Sequence, residues 1–311
     1  MEEQTPPVLD DPTQSDEAFK EAFGDVITSS PQKMPAGLYL VATPIGNMRD
    51  ISLRMLDIIR GADAVACEDT RMTGKLLSYL GLKKKLVPYH DHNADEMRPK
   101  LLKEIEGGQR IALVSDAGMP LISDPGFKLV RDARERGLYV TSIPGASAPL
   151  MALQLSGLPS DQFVFLGFLP NKTTARKEFL KPWNEVPATL IFFESAQRLD
   201  GSLKDAEEVL GNRAMALVRE LTKKFEETWT GTISEIRARL EQDGPPKGEI
   251  VIVVDRGEPA AEISDAELDR LLVEAIKSAP LKEAAASLAQ TYGRSKKDLY
   301  NRAIELKNGN E

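Results

Sequence analysis

The chain has 311 residues, is 41% hydrophobic and 28% charged, and carries a formal net charge of −8. That size and apolar content suit two medium domains or one large one. One cysteine, Cys67, excludes an intrachain disulfide and a cysteine-cluster zinc site, and no apolar run approaches the length of a membrane span.

Residues 1–36 hold eight acids against two lysines and no sustained helical pattern, so a disordered acidic tail is expected there. Its start, MEEQTPP, lacks the basic and apolar regions of a signal peptide, which predicts a cytoplasmic location. The rest of the chain is close to neutral, with local basic clusters. Leu38 to Ala42 reads as a strand and runs into TPIGN, Thr43 to Asn47. Ile51, Met55, Ile58, Ile59 and Ala62 recur at helix spacing and predict a core-facing stripe. A strand-like run from Ala64 ends in Glu68, Asp69, Thr70 and Arg71. Leu76, Leu77 and Leu80 then form a helical stripe before Gly81, an expected cap. YHDHN, Tyr89 to Asn93, contains the only two histidines.

Ile111 to Val114 reads as a buried strand. SDAGMPLISDPG, Ser115 to Gly126, follows it with two acids, two glycines and two prolines, a composition that suits a tight loop. Tyr139 to Ser142 is another strand, leading into IPGASA, Ile143 to Ala148. The alternation predicts an α/β domain over 37–158, closed by the linker GLPSD. A second α/β domain is expected over 159–257, with strands at Phe163–Phe168, Thr189–Glu194, Met215–Glu220 and Glu249–Val254 in a mixed sheet. Residues 263–311 read as helical. Ser264 and Glu267 form a capping-box signature, a second helix starts at Pro280 and ends near Gly293, and a third carries Leu299, Ala303 and Leu306. Residues 280–307 hold six basic side chains against three acids and resemble a helix-turn-helix; RNA contact and simple packing are equal readings of that segment from its residues alone.

In a parallel sheet, ligands bind in the crevice outside the carboxyl ends of strands. Four strand ends rich in Gly, Pro, hydroxyls or acid therefore predict one binding crevice. An Asp there can accept hydrogen bonds from a ribose or an ammonium group. GxxxxGK[ST] and GxGxxG are both absent, which disfavours nucleotide hydrolysis and dinucleotide binding. His90 and His92 can act near neutral pH, but no further histidine exists to complete a His-rich zinc site, and no metal is expected. Glu68, Asp69 and Arg71 read either as a functional cluster or as a strand-end salt-bridge and capping network.

TPIGN, EDTR, YHDHN, SDAGMPLISDPG, PGASA, GLPSDQFVFLGFLP, FFESAQR, RELTKKFEE and KGEIVIV occur in this order. Together they resemble the tetrapyrrole-methylase superfamily, and within it the ribosomal RNA small subunit methyltransferase I family, from about Gly37 to the C-terminus. The resemblance implies two α/β domains with an S-adenosyl-L-methionine cleft between them, a homodimer, and 2′-O-methylation of a cytidine ribose in 16S rRNA of the small ribosomal subunit, near the decoding centre. It maps donor binding to Pro44, Ser115, Asp116, Ala117, Gly118, Ser147 and Ala148, with Phe193, Glu194, Gly248 and Glu249 closing over the adenine from the second domain. Met119 and Ala146 depart from the residues common in the family, Thr and Pro.

Methyl transfer from a sulfonium is an in-line displacement, and a ribose hydroxyl benefits from a general base. That base is left open between Asp69 and His92. Glu68, Arg71, His90 and Asn93 are expected on the substrate side, with Arg198, Lys223, Lys296 and Lys297 as candidate RNA contacts. Arg198 and Lys223 read equally as holding the inter-domain cleft. Two alternatives remain: a methyltransferase for a tetrapyrrole intermediate, and a non-catalytic ribosome-assembly factor that binds RNA.

Overall fold

The computed structural model describes residues 34–257, 264–292 and 295–308. The acidic tail up to residue 33, Gly293 as a helix end, and Arg294 lie outside the described residues.

Five short strands, β1 (Gly37–Val41), β2 (Ala64–Cys67), β3 (Lys85–Pro88), β4 (Arg110–Val114) and β5 (Val140–Ile143), form a sheet of order β3-β2-β4-β1-β5. Every pairing in it is parallel. A parallel sheet is covered on both faces, and the strand side chains divide with a period of two. Leu38, Ala64, Ala66, Ile111 and Leu113 share one face with Leu101, Leu102 and Ile105 of α3 (Ala94–Glu106) and Leu129 and Ala133 of α4 (Phe127–Glu135). Tyr39, Val41, Val65, Cys67, Ala112 and Val114 share the other with Met55, Ile58 and Ile59 of α1 (Leu53–Gly61) and Leu77 of α2 (Thr70–Tyr79). The stripe expected from Ile51 to Ala62 is thus a core stripe. Each large apolar side chain buried this way contributes roughly 1.5–3 kcal/mol. Because all five strands run the same way, their carboxyl ends lie along one edge.

Helix α5 (Ala148–Ser156) follows β5 but packs on a second sheet, where Ala152 and Leu153 meet Ile191, Ala216 and Val253. That sheet has the order β6-β7-β10-β8-β9, from β6 (Phe163–Phe168), β7 (Thr189–Ser195), β8 (Ala214–Arg219), β9 (Glu227–Thr232) and β10 (Glu249–Val254). It is mixed: β6 and β7 are parallel and the remaining pairs antiparallel. Helices α6 (Thr173–Leu180), α7 (Leu199–Leu210) and α8 (Ile233–Asp243) accompany it, and α7 packs against both others. Arg176 on α6 and Asp205 on α7 form a buried ion pair with Nε to Oδ2 at 2.7 Å, and the guanidinium also donates to the carbonyls of Pro170, Asn171 and Gly201.

Three further helices, α9 (Asp265–Ser278), α10 (Leu281–Tyr292) and α11 (Lys296–Asn308), enclose a small core of Leu268, Leu272, Ala285, Leu299 and Ala303. Ser264 caps α9 by accepting the Glu267 N–H, and Arg302 forks onto Asp269. None of the described helices is long and apolar enough to cross a membrane.

Candidate active-site cleft

The sheet order sets the loops side by side along the carboxyl edge, as YHDHN, EDTR, SDAGMP, TPIGN and PGAS. The two central loops are stitched together. Thr43 N–H donates to the Gly118 carbonyl (2.8 Å), and Gly118 N–H donates to the Thr43 carbonyl (3.1 Å). The Thr43 hydroxyl donates to the Ser115 carbonyl (3.2 Å), and the Ser115 hydroxyl donates to the Gly118 carbonyl (3.0 Å). Ser115 is therefore a buried fastener, while Asp116 and Ala117 are exposed. Gly118 adopts φ 80°, which favours glycine. Ile45 and Ala146, from the loops after β1 and β5, join the apolar cluster of Val218, Leu221 and Val251 on the second sheet. The carboxyl edge of the first sheet thus faces the second, and Pro44, Ser147 and Ala148 lie at that seam.

The acids of this edge have different fates. Asp69 is the N-cap of α2, accepting the Arg71 N–H (2.8 Å) and the Arg71 guanidinium (2.7 Å), and these bonds hold its carboxyl down at about 2. Its own N–H donates to the Asp116 carboxylate (3.2 Å). So the Asp69–Arg71 pair is the capping network, and Asp69 is a weak base. Glu68 and Asp124 line one narrow crevice with Tyr89, Ser115 and Pro120, closed in this structure to anything as large as a water molecule. Burial first, and then the charge of Glu68, push Asp124 up to about 6. Burial and Asp116 raise Glu68 as well. The backbone turning Asp124 into this concavity has Leu121 at φ 73° and Ser123 at φ 66°, strained for residues with a Cβ. Sequence reasoning passed over Asp124, whose only signal was its place in a loop already singled out.

His92 is exposed and His90 is half-buried, their rings 6.0 Å apart. His90 Nδ1 is buried without a hydrogen-bond partner among the described residues. Asn93 accepts the His90 N–H (2.9 Å) and donates to the Pro88 carbonyl (3.0 Å), so its side chain staples the loop.

On the second sheet several expected donor contacts are committed elsewhere. The Glu194 carboxylate is buried, accepts from Ser195 N–H (2.8 Å) and the Ser202 hydroxyl, and lies 3.3 Å from Arg198 Nε. Arg198 also donates to the Leu169 carbonyl (2.6 Å), holding the end of β6 rather than facing outward. Phe193 is half-buried, packing edge-on to Phe165 (5.0 Å) and beside the largely exposed Phe168 (5.2 Å). Lys223 is paired with Glu220 (2.9 Å) and Glu249 (3.0 Å), and the Glu220 carboxylate accepts the Glu249 N–H (3.1 Å). A Cβ on Gly248 would collide with the Glu220 side chain, and one on Gly46 would lie 2.5 Å from Lys223 Cγ. These residues join the two halves of the cleft. Lys296 and Lys297 are exposed on α11.

The edge is rich in acid. Glu68, Asp69, Asp91, Asp116 and Asp124 stand there with Arg71 as the paired cation, giving a field that favours a cationic ligand. Among the described residues no group of three or more His, Cys, Asp or Glu could hold a metal ion.

Residues 37–237 match the family model for tetrapyrrole (corrin/porphyrin) methylases, and residues 262–307 match the RsmI C-terminal HTH domain. Curated relatives named ribosomal RNA small subunit methyltransferase I include one from Mesorhizobium japonicum, 50% identical over 87% of this chain and 92% of its own. The one from Escherichia coli O157:H7 is 44% identical over 86% and 94%. Among solved structures, a diphthine synthase (16% identity, TM-score 0.56, 70% of this chain and 89% of that one) and the methyltransferase CobJ (15%, 0.53, 71% and 95%) share the fold.

Proposed function

This chain belongs to the tetrapyrrole methylase family, in the group of ribosomal RNA small subunit methyltransferase I, and we propose that its acceptor is the 2′-hydroxyl of a cytidine ribose in 16S rRNA near the decoding centre. It is an S-adenosylmethionine-dependent methyltransferase of ribosomal RNA. The observation that supports the finer reading is the match to relatives of that name along nearly the whole chain, helical C-terminus included. The near-neutral globular part favours an assembled small subunit over bare RNA as the target. A cytoplasmic homodimer is part of the same proposal.

Bound S-adenosylmethionine supplies the methyl group as a sulfonium leaving-group system. This chain's residues hold, orient and deprotonate. The stitched loops Thr43–Gly118 provide rigid backbone for donor binding, with Pro44, Asp116, Ala117, Ser147 and Ala148 at the seam. Rigid placement matters because alignment supplies much of the rate. The acceptor hydroxyl must lose its proton as its oxygen attacks. We assign that proton to Asp124, with Glu68 across the same crevice once it opens to the substrate, in place of both expected candidates: Asp69, whose lone pairs are occupied by Arg71, and His92, which stands exposed outside that lining. A carboxylate poised near 6 is a far stronger base than one held near 2.

The test is methyl transfer from labelled S-adenosylmethionine to small subunits lacking the modification, followed by nuclease mapping. Label on one cytidine ribose is expected. Donor binding without label on subunits would overturn the rRNA reading.

A further inference from the structure

Among the described aromatic side chains Phe225 is 63% exposed, with Phe127 and Phe168 nearly as exposed. It lies in the turn RELTKKFEE between β8 and β9, and that turn is rigid. Glu220 (φ 50°) and Thr222 (φ 65°) occupy the left-handed region without being glycine, a conformation that persists only when its surroundings impose it. The surroundings are visible. Thr222 N–H donates to the Glu226 carboxylate (2.6 Å), Lys223 N–H to the Glu220 carbonyl (2.9 Å) and Glu226 N–H to the Lys223 carbonyl (3.1 Å). The same turn touches the first sheet's donor loop, since a Cβ on Gly46 would meet Lys223, Thr222 and Leu221 at 2.5–3.0 Å. The exposed ring is carried on this same turn, two residues beyond the lysine that meets that loop.

The two lysines of the turn differ. Lys223 is neutralised by Glu220 and Glu249, and so belongs to the turn's own framework. Lys224 makes no ion pair among the described residues, and its Nζ lies 5.8 Å from the centre of the Phe225 ring. Phe127 offers a comparison: it is 61% exposed under Arg131 at 5.7 Å, but Arg131 also bonds Asp132 and approaches Glu135. Among the described residues only the Phe225 pair presents an exposed aromatic face beside an unspent cation.

We propose that Phe225 and Lys224 form a nucleotide platform at the mouth of the cleft, the ring stacking on an unpaired base next to the methylated ribose and the ammonium meeting a phosphate. The proposal rests on the rRNA reading above. Unstacked bases of single-stranded RNA are commonly held on aromatic side chains, and a neighbouring cation adds an electrostatic, salt-sensitive share. A rigid platform loses little conformational freedom when it binds, which is how strain in the turn becomes useful.

Steady-state methylation of unmodified small subunits by the full chain tests it, with donor affinity by calorimetry and mass by light scattering measured alongside. Phe225→Ala is expected to raise KM for subunits about tenfold or more, with kcat and donor affinity within about twofold. Phe225→Trp restores KM and Phe225→Leu does not. Lys224→Ala raises KM severalfold and flattens its dependence on salt. An unchanged KM in Phe225→Ala, full rescue by Leu, or a change of oligomeric mass overturns the platform; the last two would make the ring a protein-contact residue. The unsubstituted protein separates the two ideas. If it labels subunits and Phe225→Ala does so equally well, the platform alone falls. If it binds donor yet labels no subunit, the rRNA reading falls and takes the platform with it.

Discussion

Replacing Asp124 by Asn should make the protein more stable and less active at once. In the folded chain, burial and the nearby Glu68 raise this carboxyl from 3.8 to about 6. Folding therefore binds its proton more tightly than the unfolded chain does, so stability is fully present below pH 3.8 and is lost as pH rises through 6. Raising a carboxyl that far corresponds to about 3 kcal/mol of ionisation cost. Partial solvent access and screening reduce this to about 1–2 kcal/mol at neutral pH. Asn keeps the shape and never ionises. The variant's advantage over the parent should be absent near pH 4, grow through pH 5 and be complete by pH 7, where Tm should rise by about 2–8 °C. Methyl transfer should fall at least a hundredfold, the usual contribution of a positioned base, with donor affinity retained. In the parent, kcat/KM should climb through pH 6 to a plateau. Glu68→Gln should move that limb to lower pH by removing a like charge. Calorimetric melts across pH and initial rates on unmodified subunits give both readings. A variant with near-parental turnover, or one whose stability gain is the same at pH 4 and pH 7, refutes the reasoning.

Asp69→Ala should leave much more activity than Asp124→Asn, while costing about 1 kcal/mol through the lost N-cap of α2; near-total loss of turnover in this variant would return the base to Asp69. Asp205→Asn leaves the buried Arg176 guanidinium without its counter-charge and should cost about 3–5 kcal/mol, lowering Tm by about 6–20 °C; a denaturant titration showing under 1 kcal/mol would mean that the pair is solvated. Gly46→Ala drives a Cβ to 2.5 Å from Lys223 Cγ and 3.0 Å from the Leu221 carbonyl. It should weaken donor binding about tenfold by spreading the seam, at an overpacking cost of about 1–3 kcal/mol, and unchanged donor affinity by calorimetry would show that this seam does not shape the donor site.

The strands that line the cleft were legible because apolar runs such as IALV stop abruptly at Gly and Pro, and this punctuation belongs to the local chain. Strands β3 and β9 were not. KLVP is a four-residue edge strand and ETWTGT is polar, as edge strands often are, so neither carries an apolar run. At the site, the capping role of Asp69 was one of the two readings open from EDTR, since Asp before a helix is an N-cap signature. What no local pattern could tell was which acid is desolvated. Asp124 owes its character to Glu68 and Tyr89, far away in sequence and on neighbouring strand ends. Distant partners also decide Arg198 and Lys223. Their residue types suggest ligand contacts, but the Leu169 carbonyl and the Glu249 carboxylate take up their hydrogen bonds.

The strand orders carry a consequence for how the chain is born. In each sheet a central position is filled by a strand made later than its neighbours: β4 enters between β2 and β1, and β10 between β7 and β8. During synthesis from the N-terminus, β7 and β8 must wait for residues 249–254 before their inner edges are paired. A nascent or cleaved chain ending between Arg219 and Gly248 leaves the apolar strands β7 and β8 each with an unpaired inner edge, a template for pairing with other chains. The last strand of the second sheet is thus its keystone, and truncations just short of it should yield aggregates, whereas those just beyond Val254 should yield soluble protein.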